Sequence, residues 1–135
     1  MMNSIASPAQ FEAFEKTNGL PNYFTSAADV DAVAPLVVKS DPKAVGEWMS
    51  EDLNSDTRPG LKSITVPVLE IAPYDKSFEA AFFATPAGKQ AYYASLLAGD
   101  SSAKVATIEP SRHFIMYDRP QQLDAAIAAF LQGLP

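Results

Sequence analysis

Val66-Pro67-Val68-Leu69-Glu70-Ile71-Ala72, with Pro67 near its start and Pro73 just past its end, marks a change in the character of the chain. The run is short, rich in β-branched residues and mostly apolar, with proline only at its margins. That is how a strand covered on both faces of a parallel sheet reads. A second run of this kind, Lys104-Val105-Ala106-Thr107-Ile108, follows downstream. Between them the sequence predicts a helix: Thr85 caps it, Pro86 takes its first position, and Tyr93, Leu96 and Leu97 share one face before Gly99. A last helix begins near Pro120 and aligns Leu123, Ile127, Phe130, Leu131 and Leu134. Strand, helix, strand, helix predicts a right-handed crossover and two neighbouring parallel strands. Two such strands leave two edges unpaired, whereas parallel sheets are normally covered and several strands wide. The sequence supplies helices to cover a sheet and very little sheet.

Upstream of Ile64 the pattern is helical throughout. Ser7-Pro8-Ala9-Gln10 reads as a cap, a first-position proline and a capping-box glutamine, followed by Phe11 and Phe14 and closed by Gly19. A second helix, roughly 26 to 34, is expected to stop before Pro35. In a third, Asp41 caps, Pro42 follows, and Val45, Trp48, Met49 and Leu53 fall on one face, which places Trp48 in a core. Asp56 to Gly60 is a turn-rich link. The expected class is therefore α/β, with a helical segment over 1–60 and a βαβα unit with parallel strands over 61–135.

The 135 residues are 47% hydrophobic and 19% charged, an ordinary globular mixture with a moderate core. A net charge of -6, with no basic cluster, argues against nucleic acid and anionic membrane as partners. There is no cysteine, so disulfides, thiolate chemistry and cysteine-based zinc sites are excluded. The first ten residues have neither the basic nor the apolar region of a secretory signal, and no stretch has the length of a membrane span. A cytoplasmic location is the default expectation. Asp29/Asp31 and Glu51-Asp52 lack a loop of alternating oxygen ligands, and no glycine-rich phosphate loop occurs, so neither a metal nor a cofactor is expected.

His113 is the only histidine. It lies in Glu109-Pro110-Ser111-Arg112-His113-Phe114-Ile115-Met116, after the last predicted strand, and in open α/β sheets catalytic groups gather beyond the carboxyl ends of the strands. An imidazole held there suits a general base, because its ordinary pKa lies near working pH. A hydrogen-bonded surface imidazole fits the residues equally well. Asp75 occupies the matching place after the first strand, in Ala72-Pro73-Tyr74-Asp75-Lys76, and neighbouring strands would set the two loops side by side. A carboxylate there holds an imidazole in one tautomer and stabilises the imidazolium. Asp75 also reads as a turn residue or helix cap. Tyr92-Tyr93 and Phe82-Phe83 read as packing against the sheet.

From Leu61 to Leu134 the chain resembles the end of α/β-hydrolase sequences. Leu61-Lys62-Ser63-Ile64-Thr65-Val66-Pro67-Val68-Leu69 is similar to the family's L-x-x-I-x-V-P-x-L approach to its seventh strand. His113-Phe114, Asp118-Arg119-Pro120-Gln121 and Phe130-Leu131 resemble its G-H-x-x-x-x-E-x-P ending, which carries the triad histidine. Pro42 to Arg58 is similar to the cap helices that precede that strand. The resemblance implies His113 as general base and Asp75 as triad acid. Arg112 stands where the family has glycine, and its pairing with Asp75 or Asp118 would compete with the relay. The family's G-x-S-x-G nucleophile elbow does not occur here.

The resemblance therefore implies the C-terminal part of a serine-type, esterase-like hydrolase. Such a part supplies the histidine and acid for ester or related acyl-bond hydrolysis and is not catalytic alone. A small acyl substrate would be met only in the complete enzyme, with an N-terminal half or self-association covering the sheet edge. The alternative is a non-catalytic binding or oligomerisation module that retains the hydrolase ending.

Overall fold

A computed structural model describes residues 7–134. The chain divides into two compact units, Met1–Asp56 and Thr57–Pro135.

The first unit is helical. Helix α1 (Pro8–Phe14) starts as its sequence dictates, with Ser7 Oγ accepting from Gln10 N–H at 3.2 Å. Gly19 does not close it. The chain stays helical through a wider turn, Glu15–Gly19, and a tight one, Leu20–Asn22, with Gly19 at a φ of -90°, so no left-handed cap forms. Helix α2 (Ala27–Val37), capped by Ser26, runs through Pro35 instead of stopping before it. The N–H that proline lacks would have reached the Asp31 carbonyl in the last turns, where both residues are exposed and water can replace the bond. Phe11, Leu20, Phe24, Val30 and Ala34 form this unit's core. Helix α3 (Pro42–Asn54) is capped as predicted, Asp41 Oδ1 accepting from Lys43 N–H at 2.8 Å. Its apolar face is not buried: Trp48 is 69% exposed and Leu53 81%, which corrects the expectation of a core tryptophan.

The second unit carries the sheet. Strands β1 (Val68–Pro73) and β2 (Ala103–Ile108) pair in parallel, with Val68 opposite Ala103 and Pro73 opposite Ile108. The mixed α/β class is observed in this small sheet, and Pro73 proves to be the last residue of β1. Two short helices that periodicity does not announce, α4 (Lys76–Glu79) and α6 (Ile115–Asp118), follow the two strands. Helix α5 (Pro86–Leu96) starts at Thr85, whose Oγ1 accepts from Gly88 N–H, and packs on both strands. Helix α7 (Pro120–Gln132) packs on β2. The buried apolar residues are few: Ala72, Tyr74, Ile108 and Ile115. Among the described residues no helix is long and apolar enough to cross a membrane.

These burials separate two substitutions of similar chemistry. Phe24→Ala is expected to destabilise the chain by about 3–5 kcal/mol, whereas Trp48→Ala should shift it by no more than about 0.5 kcal/mol, both read by denaturant melts. Emission of this single tryptophan should be that of a solvated indole, quenched freely by acrylamide in the native state.

Candidate functional site

The pairing of β1 and β2 does not end with the strands. Tyr74 N–H donates to the Ile108 carbonyl at 2.9 Å, and Ser111 N–H donates to the Tyr74 carbonyl at 3.0 Å, across a cis Glu109–Pro110 peptide. These two bonds hold the loops after β1 and β2 against each other at the carboxyl end of the sheet. Tyr74 is buried and anchors its loop further by donating its hydroxyl to the Phe83 carbonyl at 3.0 Å.

Asp75 and Arg112 meet across that seam. Asp75 Oδ2 accepts from Arg112 Nε at 2.8 Å, and the guanidinium lies 5.2 Å from the Phe78 ring centroid. Asp75 Oδ1 accepts from Ser77 N–H at 2.9 Å and Ser77 Oγ at 2.7 Å, so Asp75 is also the N-cap of α4. Burial pushes the Asp75 carboxyl upward, but the Ser77 hydroxyl, the Arg112 guanidinium and the Ser77 amide together hold it below its ordinary value. On the far side of Arg112, its backbone N–H donates to Asp118 Oδ2 at 2.7 Å, with the fully buried Ser111 Oγ 3.4 Å from the same oxygen. Asp75, Arg112, Ser111 and Asp118 thus form one network, in which the two carboxylates grip the residue before His113 from both sides.

His113 itself is exposed, its ring edge-on to Phe114 at a centroid distance of 4.9 Å. The structure therefore brings the loops of Asp75 and His113 together, as the strand order predicts. From the His113 loop it is Arg112 that pairs with Asp75, however, and this is the pairing that competes with an Asp75–His113 relay. Of the two roles open to Asp75, the helix cap is filled.

Periodicity missed a second buried pair. Lys89 is only 5% exposed; its Nζ donates to the Pro73 carbonyl at 2.5 Å and to Glu79 Oε1 at 2.7 Å. The ammonium also lies 5.9 Å from the Phe83 centroid and 5.8 Å from that of Tyr93. The signal was present: Lys89 precedes Tyr93 by four residues and Leu96 by seven, on the stripe that faces the sheet. Gly99-Asp100-Ser101-Ser102-Ala103 has half of a nucleophile-elbow spacing, but it opens β2 at the amino end, opposite Asp75 and Arg112. No group of three or more histidine, aspartate or glutamate side chains able to hold a metal occurs among the described residues. An open recess of about 330 Å³ adjoins the network, lined by Asp118, Arg119, Pro120, Gln121 and Gln122. Comparison with protein families, with curated proteins and with solved structures finds no match.

The depressed carboxyl of Asp75 ties stability to pH. Its contribution is fully present above the ordinary carboxylate range and is lost as pH falls through the lower folded-state value. Asp75→Asn is expected to flatten the acid limb of the stability curve, measured by urea melts from pH 7 downward. Arg112→Met should cost about 1.5–3 kcal/mol, the scale of a lost charge-assisted hydrogen bond. Lys89→Met, which strands Glu79, should cost about 3–5 kcal/mol, and adding Glu79→Leu should recover most of it.

Proposed function

We propose that this chain acts as the C-terminal portion of an α/β-hydrolase-type catalyst, offering His113 as a general base for ester or related acyl-bond hydrolysis. On this reading the nucleophilic serine is supplied by a segment that completes the sheet. One observation carries the reading: the loops bearing Asp75 and His113 leave the carboxyl ends of two adjacent parallel strands and are bonded to each other there. In the complete site, His113 takes the proton of the attacking hydroxyl and returns it to the leaving group. Asp75 orients the imidazole, provided Arg112 shares or yields the carboxylate. No metal or cofactor is assigned a part.

The engagement of Asp75 by Arg112 and Ser77 favours a second reading, a non-catalytic module that keeps this ending as a scaffold and works by binding through its sheet.

Fluorophosphonate labelling separates the two. The chain would be isolated from its source with an antibody against residues 111–134 and treated with a tagged fluorophosphonate, and the labelled serine located by mass spectrometry. A labelled serine on the same or an associated polypeptide, lost in His113→Ala, supports the catalytic reading. Labelling that survives His113→Ala, or no labelling at all, rejects it in favour of the scaffold. The 135-residue chain alone is expected to hydrolyse p-nitrophenyl butyrate no faster with His113 than without it.

A further inference from the structure

The two edges of the β1–β2 sheet are not equivalent. Tyr74 turns both of its backbone groups toward β2 and the loop that follows it. In a parallel ladder this alternates along the strand, so Val68, Glu70 and Ala72 also face β2, while Leu69, Ile71 and Pro73 turn N–H and C=O outward. By the same alternation Val105 and Thr107 face outward from β2. Two side-chain bonds agree with this phase: Lys89 Nζ reaches the Pro73 carbonyl, and Gln90 Nε2 reaches the Val105 carbonyl at 2.6 Å. Helix α5 therefore closes part of the β2 edge.

On β1, Pro67 and Pro73 both fall on the outward phase, where a missing N–H suits an edge, and the Pro73 carbonyl is taken by Lys89. What remains is a window of two residues. The outward N–H and C=O groups of Leu69 and Ile71 have no partner among the described residues. Midway between them sits Glu70, half-buried, whose carboxylate makes no ion pair or side-chain hydrogen bond among the described residues and whose charge acts on the Tyr93 phenol.

Glu70 decides what this window accepts. A residue directly opposite it on an added strand stands on the same face with its Cβ about 4.5–5.5 Å away, and there opposite charges stabilise while like charges destabilise. That rule disfavours a second copy of this chain as the occupant. The stretch Pro67 to Pro73 is symmetric about Glu70, so two β1 edges paired antiparallel would satisfy Leu69 and Ile71. They would also set Glu70 against Glu70 and join two chains of net charge -6. We propose that the outer edge of β1, from Leu69 to Ile71, docks an extended segment of a partner protein that places lysine or arginine opposite Glu70, with apolar residues on either side. The docking is β-augmentation, in which main-chain bonds supply affinity and the charge at the centre supplies selectivity. It rests on the second reading above, the scaffold that binds through its sheet, because a segment completing the sheet would occupy this same edge.

The test uses the full chain and labelled five-residue peptides, Thr-Val-Lys-Val-Thr and Thr-Val-Glu-Val-Thr, both with blocked ends. Fluorescence anisotropy is expected to show the lysine peptide binding about tenfold more tightly than the glutamate peptide. Glu70→Gln should reduce the preference to about twofold or less. Hydrogen exchange should slow at Leu69 and Ile71 when the lysine peptide is bound. Of two lysine peptides N-methylated on alternate sets of amides, one should lose binding and the other keep it. Equal affinity for the two charges, a preference that persists in Glu70→Gln, binding indifferent to either methylation pattern, or no binding at millimolar peptide would each overturn the proposal. So would slowed exchange at Leu69 and Ile71 in the unliganded chain together with a dimeric mass, since the occupant would then be a second copy.

Discussion

The second unit depends on the parallel pairing of β1 with β2 and on its continuation past the strand ends. Six residues of each strand are in register, and a ladder so narrow cannot bury much apolar surface. The bonds from Tyr74 to Ile108 and from Ser111 to Tyr74 carry the pairing into the loops. Everything that makes the carboxyl end a candidate site follows: Asp75 is brought to Arg112, Arg112 to Asp118, and His113 is held beside them. Without those bonds the two loops would be ordinary connections over the surface, free to separate.

With so little apolar core, buried charge takes an unusual share of the interior. Asp75, Lys89, Asp100 and Asp118 are all buried, and each has a charged or backbone partner. Asp100 is served on one oxygen by Ser102 and leaves Oδ2 without a hydrogen-bond partner among the described residues, as does Glu79 with Oε2. Such pairs are costly to desolvate and add little net stability over apolar packing, but they are severe on alternatives, because any rearrangement strands a charge. In a unit with few close-packed side chains, that severity fixes which loop meets which.

Much of this was legible in the sequence, and the exceptions have physical causes. The caps at Ser7, Asp41 and Thr85 could be read because capping is local, a side chain satisfying an amide two or three residues on. The strands could be read because each is a short, mostly apolar run rich in β-branched residues. Helices α4 and α6 could not, since four residues are too few to show a period or to nucleate alone; α4 exists because Asp75 caps it in a place the sheet creates. Trp48 was misplaced for the opposite reason: an amphipathic face announces a face, not what covers it. The carboxyl-end location of Asp75 and His113 was legible from strand order, whereas the choice of Arg112 as the partner of Asp75 depends on how adjacent loops meet across the sheet.

That choice bears on what chemistry the loop pair can support. A carboxylate offers about four acceptor positions, and Asp75 uses three: two on Oδ1 for Ser77 and one on Oδ2 for Arg112. One position on Oδ2 therefore remains, and counting alone does not bar an imidazole N–H from joining the guanidinium there. Charge is the stronger constraint. The value of a triad acid lies in stabilising the imidazolium that forms as the proton is taken, and a carboxylate already neutralised by a neighbouring guanidinium has less to give. A guanidinium beside a carboxylate is a fixed charge, so only its withdrawal restores the full field of Asp75. A completed site that worked as a relay would therefore have to draw the Arg112 guanidinium away from Asp75. The observed pairing of Asp75 with Arg112 is the arrangement a scaffold needs and the one a relay would have to undo.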